Sequence, residues 1–290
     1  MKIYTDLSEI EKDSGLLGYV RALQRAWNPD GGLGISQIGC LGNVPTIFIK
    51  ECKQVVSPEQ LHAWHRLFWN QGIASVLLII DPRTAYVFSG MEPPEQKGEK
   101  NRAMVERWDV VQDFLSNKQS LLTKVESGDF YKQYKAKFNL SKSVDGYLTA
   151  NLLELRNYLS PRIGEDCSHD FICRLLFVCY LVDRGIYSLP GYSGLSLHEA
   201  LIQMADDEAL RYLYNQFGIL KTKFNGSMFD QNLKEESSRF KAEYITALKN
   251  FLHGDELAKG QKTLGFWAYD FKWIPVETIS CIYENFLTGI

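Results

Sequence analysis

Residues 74 to 81, Ala-Ser-Val-Leu-Leu-Ile-Ile-Asp, form an unbroken apolar run closed by the turn signal Asp-Pro-Arg-Thr. A strand wetted on one side alternates polar and apolar residues, so a run without alternation predicts a strand covered on both faces. Covering both faces calls for a layered α/β arrangement. The preceding residues supply one of the covering helices. In "SPEQLHAWHRLFWNQG", Ser57 caps, Pro58 takes the first turn, Gln60 completes a capping box and Gly72 ends the helix.

The same logic extends in both directions. Leu7, Ile10, Leu17, Val20, Leu23 and Trp27 predict helix between Asp6 and Trp27, interrupted near Gly15. Residues 33 to 41 and 45 to 52 then read as antiparallel strands joined at Gly42-Asn43, a pair suited to a tight hairpin. "AYVFSG" follows the Asp-Pro-Arg-Thr turn as a further strand. The expected order is helix, strand, strand, helix, strand, strand. After Met91 the character changes: "EPPEQKGEK" is charged and proline-bearing, and the stretch around "YKQYKAKFNLSKS" is lysine-rich.

Beyond about Ser143 the pattern is helical. "DFICRLLFVCYLVDRGI" is apolar all round, which predicts a helix buried within a bundle and ended by Gly185, while "SLHEALIQMADDEALRYLYNQFG" and "SRFKAEYITALKNFLHG" are amphipathic with glycine stops. The expected organisation is an α/β domain over 1–95, a charged helical connector over 96–145 and an all-α domain over 146–290. The last segment carries Val276, Ile279, Tyr283, Phe286 and Leu287 at helical spacing. This stripe is expected to dock on something that follows residue 290 or on a separate subunit.

Composition excludes several classes. With 45% hydrophobic and 23% charged residues over 290 positions, the chain has material for two ordinary cores. No apolar run approaches the length of a membrane span and the first residues lack a secretion-signal core, so a cytoplasmic location is expected. Six cysteines without a CxxC pair read as reduced thiols, and five histidines without HxxxH or HExxH give no zinc pattern. A formal charge of −3 leaves only local contacts for nucleic acid.

Several stretches taken together, "PTIFIKE", "LHAWHRLFWNQGIASVLLIIDPRTAYVFSG", "FICRLLFVCYLVDRGI", "KTKFNGSMF" and "YDFKWIPVETISCIYENFL", resemble the N-terminal part of bacterial type IIG-like restriction-modification enzymes with fused N6-adenine DNA methylase domains. The resemblance spans about residues 33 to 290. It implies a phage-defence role, double-stranded DNA as partner, and a methylase domain or subunit following residue 290 with its own S-adenosylmethionine site. It also implies interdomain packing for "KFNGSMF". The methylase motifs are absent from this sequence: "EPPE" lacks the asparagine and aromatic of an adenine pocket, and "DGGLG" runs into a strand rather than a helix. Methyl transfer by this chain alone is not expected.

The strand and helix order is also compatible with the restriction-endonuclease-like core of PD-(D/E)-x-K nucleases, with Pro29-Asp30 and Glu51-Cys52-Lys53 as the matching residues. That chemistry needs carboxylates to hold Mg²⁺ and a lysine to stabilise developing charge. Asp30 and Glu51 are the candidate ligands and Lys53 the candidate helper. An unbroken hairpin register places Gly34 opposite Glu51 and Gly32 opposite Lys53, which lets the three converge. The alternative is a non-catalytic module that binds DNA or positions a methylase, with Lys132, Lys135 and Lys137 as candidate phosphate contacts among the lysines 118, 124 and 142. Asp81 reads as the first residue of its turn.

Overall fold

The computed structural model describes residues 1–95, 102–110, 114–224, 232–255 and 265–288, the last four of these by their backbone alone. The chain divides into two compact units, Met1–Gly146 with Trp273–Pro275, and Tyr147–Lys272 with Val276–Ile290.

The first unit is built on a six-stranded mixed sheet whose spatial order follows the chain. Strand β1 (Lys2–Tyr4) precedes helix α1 (Leu7–Lys12), a 3-10 turn at Ser14–Tyr19 and helix α2 (Val20–Trp27). Asp6 caps α1 by accepting from the Ser8 N–H. Strands β2 (Gln37–Leu41) and β3 (Val44–Glu51) form the expected hairpin, with Gly42 at a φ of 56° that favours glycine. Helix α3 (Pro58–Gln71) follows, with both halves of the Ser57/Gln60 capping box formed and Gly72 left-handed at φ 60°. It carries the chain to β4 (Val76–Ile80), which runs parallel to β3. Strands β5 (Thr84–Ser89) and β6 (Met104–Asp109) then add antiparallel neighbours.

Every residue of β4 is buried, as its unbroken apolar run requires. Alternation sorts the sheet into two cores. Ile38, Phe48, Leu77, Ile79 and Phe88 face a cluster with Ile10, Leu23, Leu61 and Phe68 of the first three helices. Ile47, Ile49, Val76, Leu78, Ile80 and Val87 face Leu121, Val125 and Phe130. These last three lie on α4 (Phe114–Ser127) and α5 (Asp129–Gln133). The stretch 96–145, read as a connector, therefore differs from that expectation: it supplies an edge strand and the second covering layer. Its lysines are surface positions of helices whose inner residues complete the sheet's second core. Residues 96–101 lie outside the described residues.

The second unit is helical: α6 (Val144–Ile163, its first turn belonging to the first unit), α7 (Glu165–Asp183), α8 (Leu197–Ile202), α9 (Asp206–Phe224), α10 (Leu233–Arg239), α11 (Ala242–His253) and α12 (Val276–Thr288). Helix α7 is buried along most of its length, from Phe171 to Leu181, and Gly185 follows it at φ 68°. Buried α7 even includes Arg174, whose guanidinium donates to both oxygens of Glu236 at 2.5 Å. The Tyr214 hydroxyl donates to the same carboxylate at 2.7 Å. A charge taken out of water needs such a partner.

The terminal stripe is partly covered by this unit itself. Ile279 and Ile282 of α12 are buried, and the Tyr283 hydroxyl donates to the Cys173 carbonyl of α7 at 2.8 Å. Val276 is exposed, while the side chains of Phe286 and Leu287 lie outside the described residues. So do residues 225–231, which hold most of "KFNGSMF". None of the six cysteines is joined in a disulfide. No helix among the described residues is long and apolar enough to cross a membrane.

Candidate functional site

The parallel pair among the described strands, β3 and β4, ends at Glu51 and Ile80. In open α/β sheets the carboxyl ends of parallel strands are where backbone groups and loops leave room for a ligand. Glu51 is half-exposed there, on the sheet face that carries α4. Its carboxylate accepts from the Gln37 amide at 3.2 Å and lies 3.8 Å from the Lys118 ammonium. Lys118 also donates to the Gln37 amide oxygen at 3.3 Å, which closes a triangle between β2, β3 and α4. The Glu51 N–H donates to Ser36 Oγ at 3.1 Å.

Strand geometry explains the triangle. Gln37 pairs with Ile49, so it shares a face with Ile49 and Glu51 and meets Glu51 diagonally across the ladder. The register is not the unbroken one expected. It slips by one residue between Gly39 and Cys40, where Gly39 faces Ile47 and Cys40 faces Pro45. A Cβ on Gly39 would sit 2.5 Å from Ile47 Cγ2 and 2.6 Å from Met1 Sδ, so any side chain here forces its neighbours to shift. Ladder pairing then stops at Gln37. Residues 34 and 35 turn away, their N–H groups donating to the Asn28 and Ala26 carbonyls. The pairings of Gly34 with Glu51 and Gly32 with Lys53 do not form.

Asp30 consequently stays in the loop, where its N–H donates to the Asn28 side chain at 2.9 Å. Its carboxylate is exposed, and so is the Lys53 side chain just past the end of β3. The structure shows no contact that joins Asp30, Glu51 and Lys53. Asp81 is spent on its turn: burial alone would raise its carboxyl, but N–H donors from Val56, Arg83 and Thr84 hold it below the usual carboxylate range.

Lys50, one residue before Glu51, points to the opposite face. Its ammonium donates to the Leu33 carbonyl at 2.5 Å and the Gly34 carbonyl at 3.2 Å, and lies 4.3 Å from the Trp64 ring centroid. Burial lowers its pKa. Lys50 thus fastens the 33–34 loop to the end of β3.

A Mg²⁺ ion takes near-octahedral oxygen ligands, with one or two carboxylates among them. Glu51 offers one carboxylate already hydrogen-bonded to an amide, and the neighbouring cation competes for its charge. No group of three or more His, Cys, Asp or Glu gathers as metal ligands among the described residues. This donor set fits an ion-paired carboxylate rather than a Mg²⁺ cradle.

Of the lysines read as phosphate contacts, Lys132 is exposed but paired with Asp129 at 3.0 Å. Lys137 donates to the Arg102 carbonyl at 2.5 Å. Lys135 is exposed without a partner among the described residues. Sequence reasoning missed Gln37 altogether, and it read Lys118 only as one of a lysine series. The signal for Gln37 lay in the bulge, and nothing local marks Gly39 as the point of slip. No protein-family profile, curated protein or solved structure matches the chain.

Proposed function

We propose that the first unit is a restriction-endonuclease-like module that binds double-stranded DNA without cleaving it, and that the chain serves an adenine methylase as a positioning component of a phage-defence system. The carrying observation is the Gln37–Glu51–Lys118 triangle: where metal-dependent hydrolysis needs a second carboxylate, an amide and an ammonium stand beside Glu51. The strand order supports the module. A sheet running β1 to β6 in sequence, with its parallel step between β3 and β4 across a helix, agrees with a nuclease-like layout.

Contacts to DNA then fall to the lysine-bearing layer of α4, α5 and the turn after it, where six lysines (Lys118, Lys124, Lys132, Lys135, Lys137 and Lys142) outnumber the two acids of the same stretch, Glu126 and Asp129. Lys118 and Lys142 are engaged by Glu51 and Glu92, which leaves Lys124, Lys132, Lys135 and Lys137 as the candidates. Such contacts are local and salt-sensitive.

Mg²⁺-dependent cleavage through Asp30, Glu51 and Lys53 is the rival reading, favoured by the place of Glu51 at the end of the parallel pair. One pair of assays separates them. Duplex binding measured by fluorescence anisotropy is expected to weaken with salt and with the Lys132→Ala/Lys135→Ala double change, while plasmid incubated with Mg²⁺ stays supercoiled. Nicking that disappears in Glu51→Ala overturns the non-cleaving reading. Absence of duplex binding at low salt overturns the DNA reading itself.

A further inference from the structure

Asn117, Ser120, Leu121 and Lys124 line one wall of a groove of about 290 Å³, and Glu106, Arg107 and Trp108 of β6 line the other. Their spacing places all four α4 residues on one helix face, turned toward an edge strand of the sheet. A helix face lying against a sheet is ordinarily apolar, yet three of these four residues are polar. The indole Nε1 of Trp108 is buried and has no hydrogen-bond partner among the described residues. An indole N–H can only donate.

The other groups around the groove sharpen the chemistry. Glu106 already accepts from the Tyr134 hydroxyl at 2.7 Å. Arg107 turns its guanidinium to the opposite sheet face, 5.6 Å from the Tyr86 ring centroid, so only its backbone borders the groove. The Val110 N–H donates to the Arg83 carbonyl at 2.8 Å, and antiparallel alternation then points the backbone N–H of Arg107 away from β5, toward the open edge. The groove's lining therefore includes two side chains that can only donate, Trp108 and Lys124, with Ser120 and Asn117 able to donate beside them and one carboxylate, Glu106, held by Tyr134. The Trp108 Nε1 is covered in this state and needs a small shift of the ring to reach a ligand. Its natural ligand is rich in acceptors. A phosphate group, with several oxygens spread over a tetrahedron, can receive from both walls at once.

We infer that the β6–α4 groove is a phosphate subsite that takes a backbone phosphate of a DNA strand. The inference rests on the DNA-binding reading above and adds to it a particular place of contact.

The test follows the indole resonance of Trp108 in the ¹⁵N-labelled full chain, identified by its loss in Trp108→Phe. The probes are inorganic phosphate, adenosine monophosphate, acetate and a duplex oligonucleotide. The duplex is expected to shift the resonance, and Lys124→Ala to weaken that response about tenfold, since a hydrogen bond to a charged group is removed. Duplex binding that depends on Lys132 and Lys135 but leaves the Trp108 indole unmoved overturns this site while the functional reading stands. A shift with adenosine monophosphate and none with duplex overturns the DNA source, and if no duplex binds at all the functional reading falls with it. A shift produced equally by acetate overturns the assignment to phosphate.

Discussion

The Gln37 amide donates to Glu51 Oε1 at 3.2 Å, a diagonal contact across the β2–β3 ladder that puts an amide where a second carboxylate would make a metal pair. The contact ties strand register to chemistry, because Gln37 reaches this face only through the slip at Gly39. It also yields a gain-of-function prediction. Gln37→Asp sets two carboxylates beside each other, and Mg²⁺ or Mn²⁺ binding measured by titration calorimetry is expected to appear in the variant and to be weak or absent in the parent. Equal binding by both proteins would show that Glu51 does not need a second carboxylate.

Gly39 fixes that register by its lack of a side chain. Gly39→Ala would drive a methyl group against Ile47 and Met1 and is expected to cost about 1–3 kcal/mol, the range for overpacking a close contact. Urea denaturation checks the loss. If the slip controls the site, the variant also weakens the Gln37–Glu51 contact, seen as a displaced Gln37 side-chain amide resonance.

Burial of Arg174 against Glu236 predicts an asymmetric response to mutation. Glu236→Ala leaves a guanidinium in the core without its carboxylate and is expected to cost about 3–5 kcal/mol. Replacing both partners, Arg174→Met with Glu236→Leu, removes the charges together and is expected to recover most of the loss. Urea midpoints of the two variants decide this, and equal destabilisation would argue that packing rather than charge sets the cost.

His65 is buried against Phe88 and bonds through Nε2 to the Ser89 carbonyl at 3.1 Å. Burial lowers its pKa from 6.5 to about 4. Between those values the unfolded chain binds more protons than the folded one, so stability is full above about pH 6.5 and falls as pH drops toward 4. The drop attributable to this group is about 3 kcal/mol. Stability curves of the parent and of His65→Gln, compared between pH 7.5 and 4.5, are expected to converge toward the acid end.

Much of the first unit was legible because its signals are local. The Ser57 capping box, the Gly42 turn and the unbroken run of β4 each specify their element within a few residues, and each formed as written. The buried α7 was legible for the same reason, since a helix apolar all round has no face to offer water. Tertiary structure alone decided three other matters. It took β6, α4 and α5 from a stretch whose charge reads as a connector, because pairing with β5 and covering Val87 and Ile49 are long-range gains that local composition does not display. It slipped the hairpin by one residue, and a period of two turns one slip into a change of face for everything beyond it. It brought Lys118 to Glu51 across 67 residues of sequence separation, a meeting that follows only once α4 lies on the sheet. The elements belong to the sequence, and the company kept by Glu51 belongs to the packing.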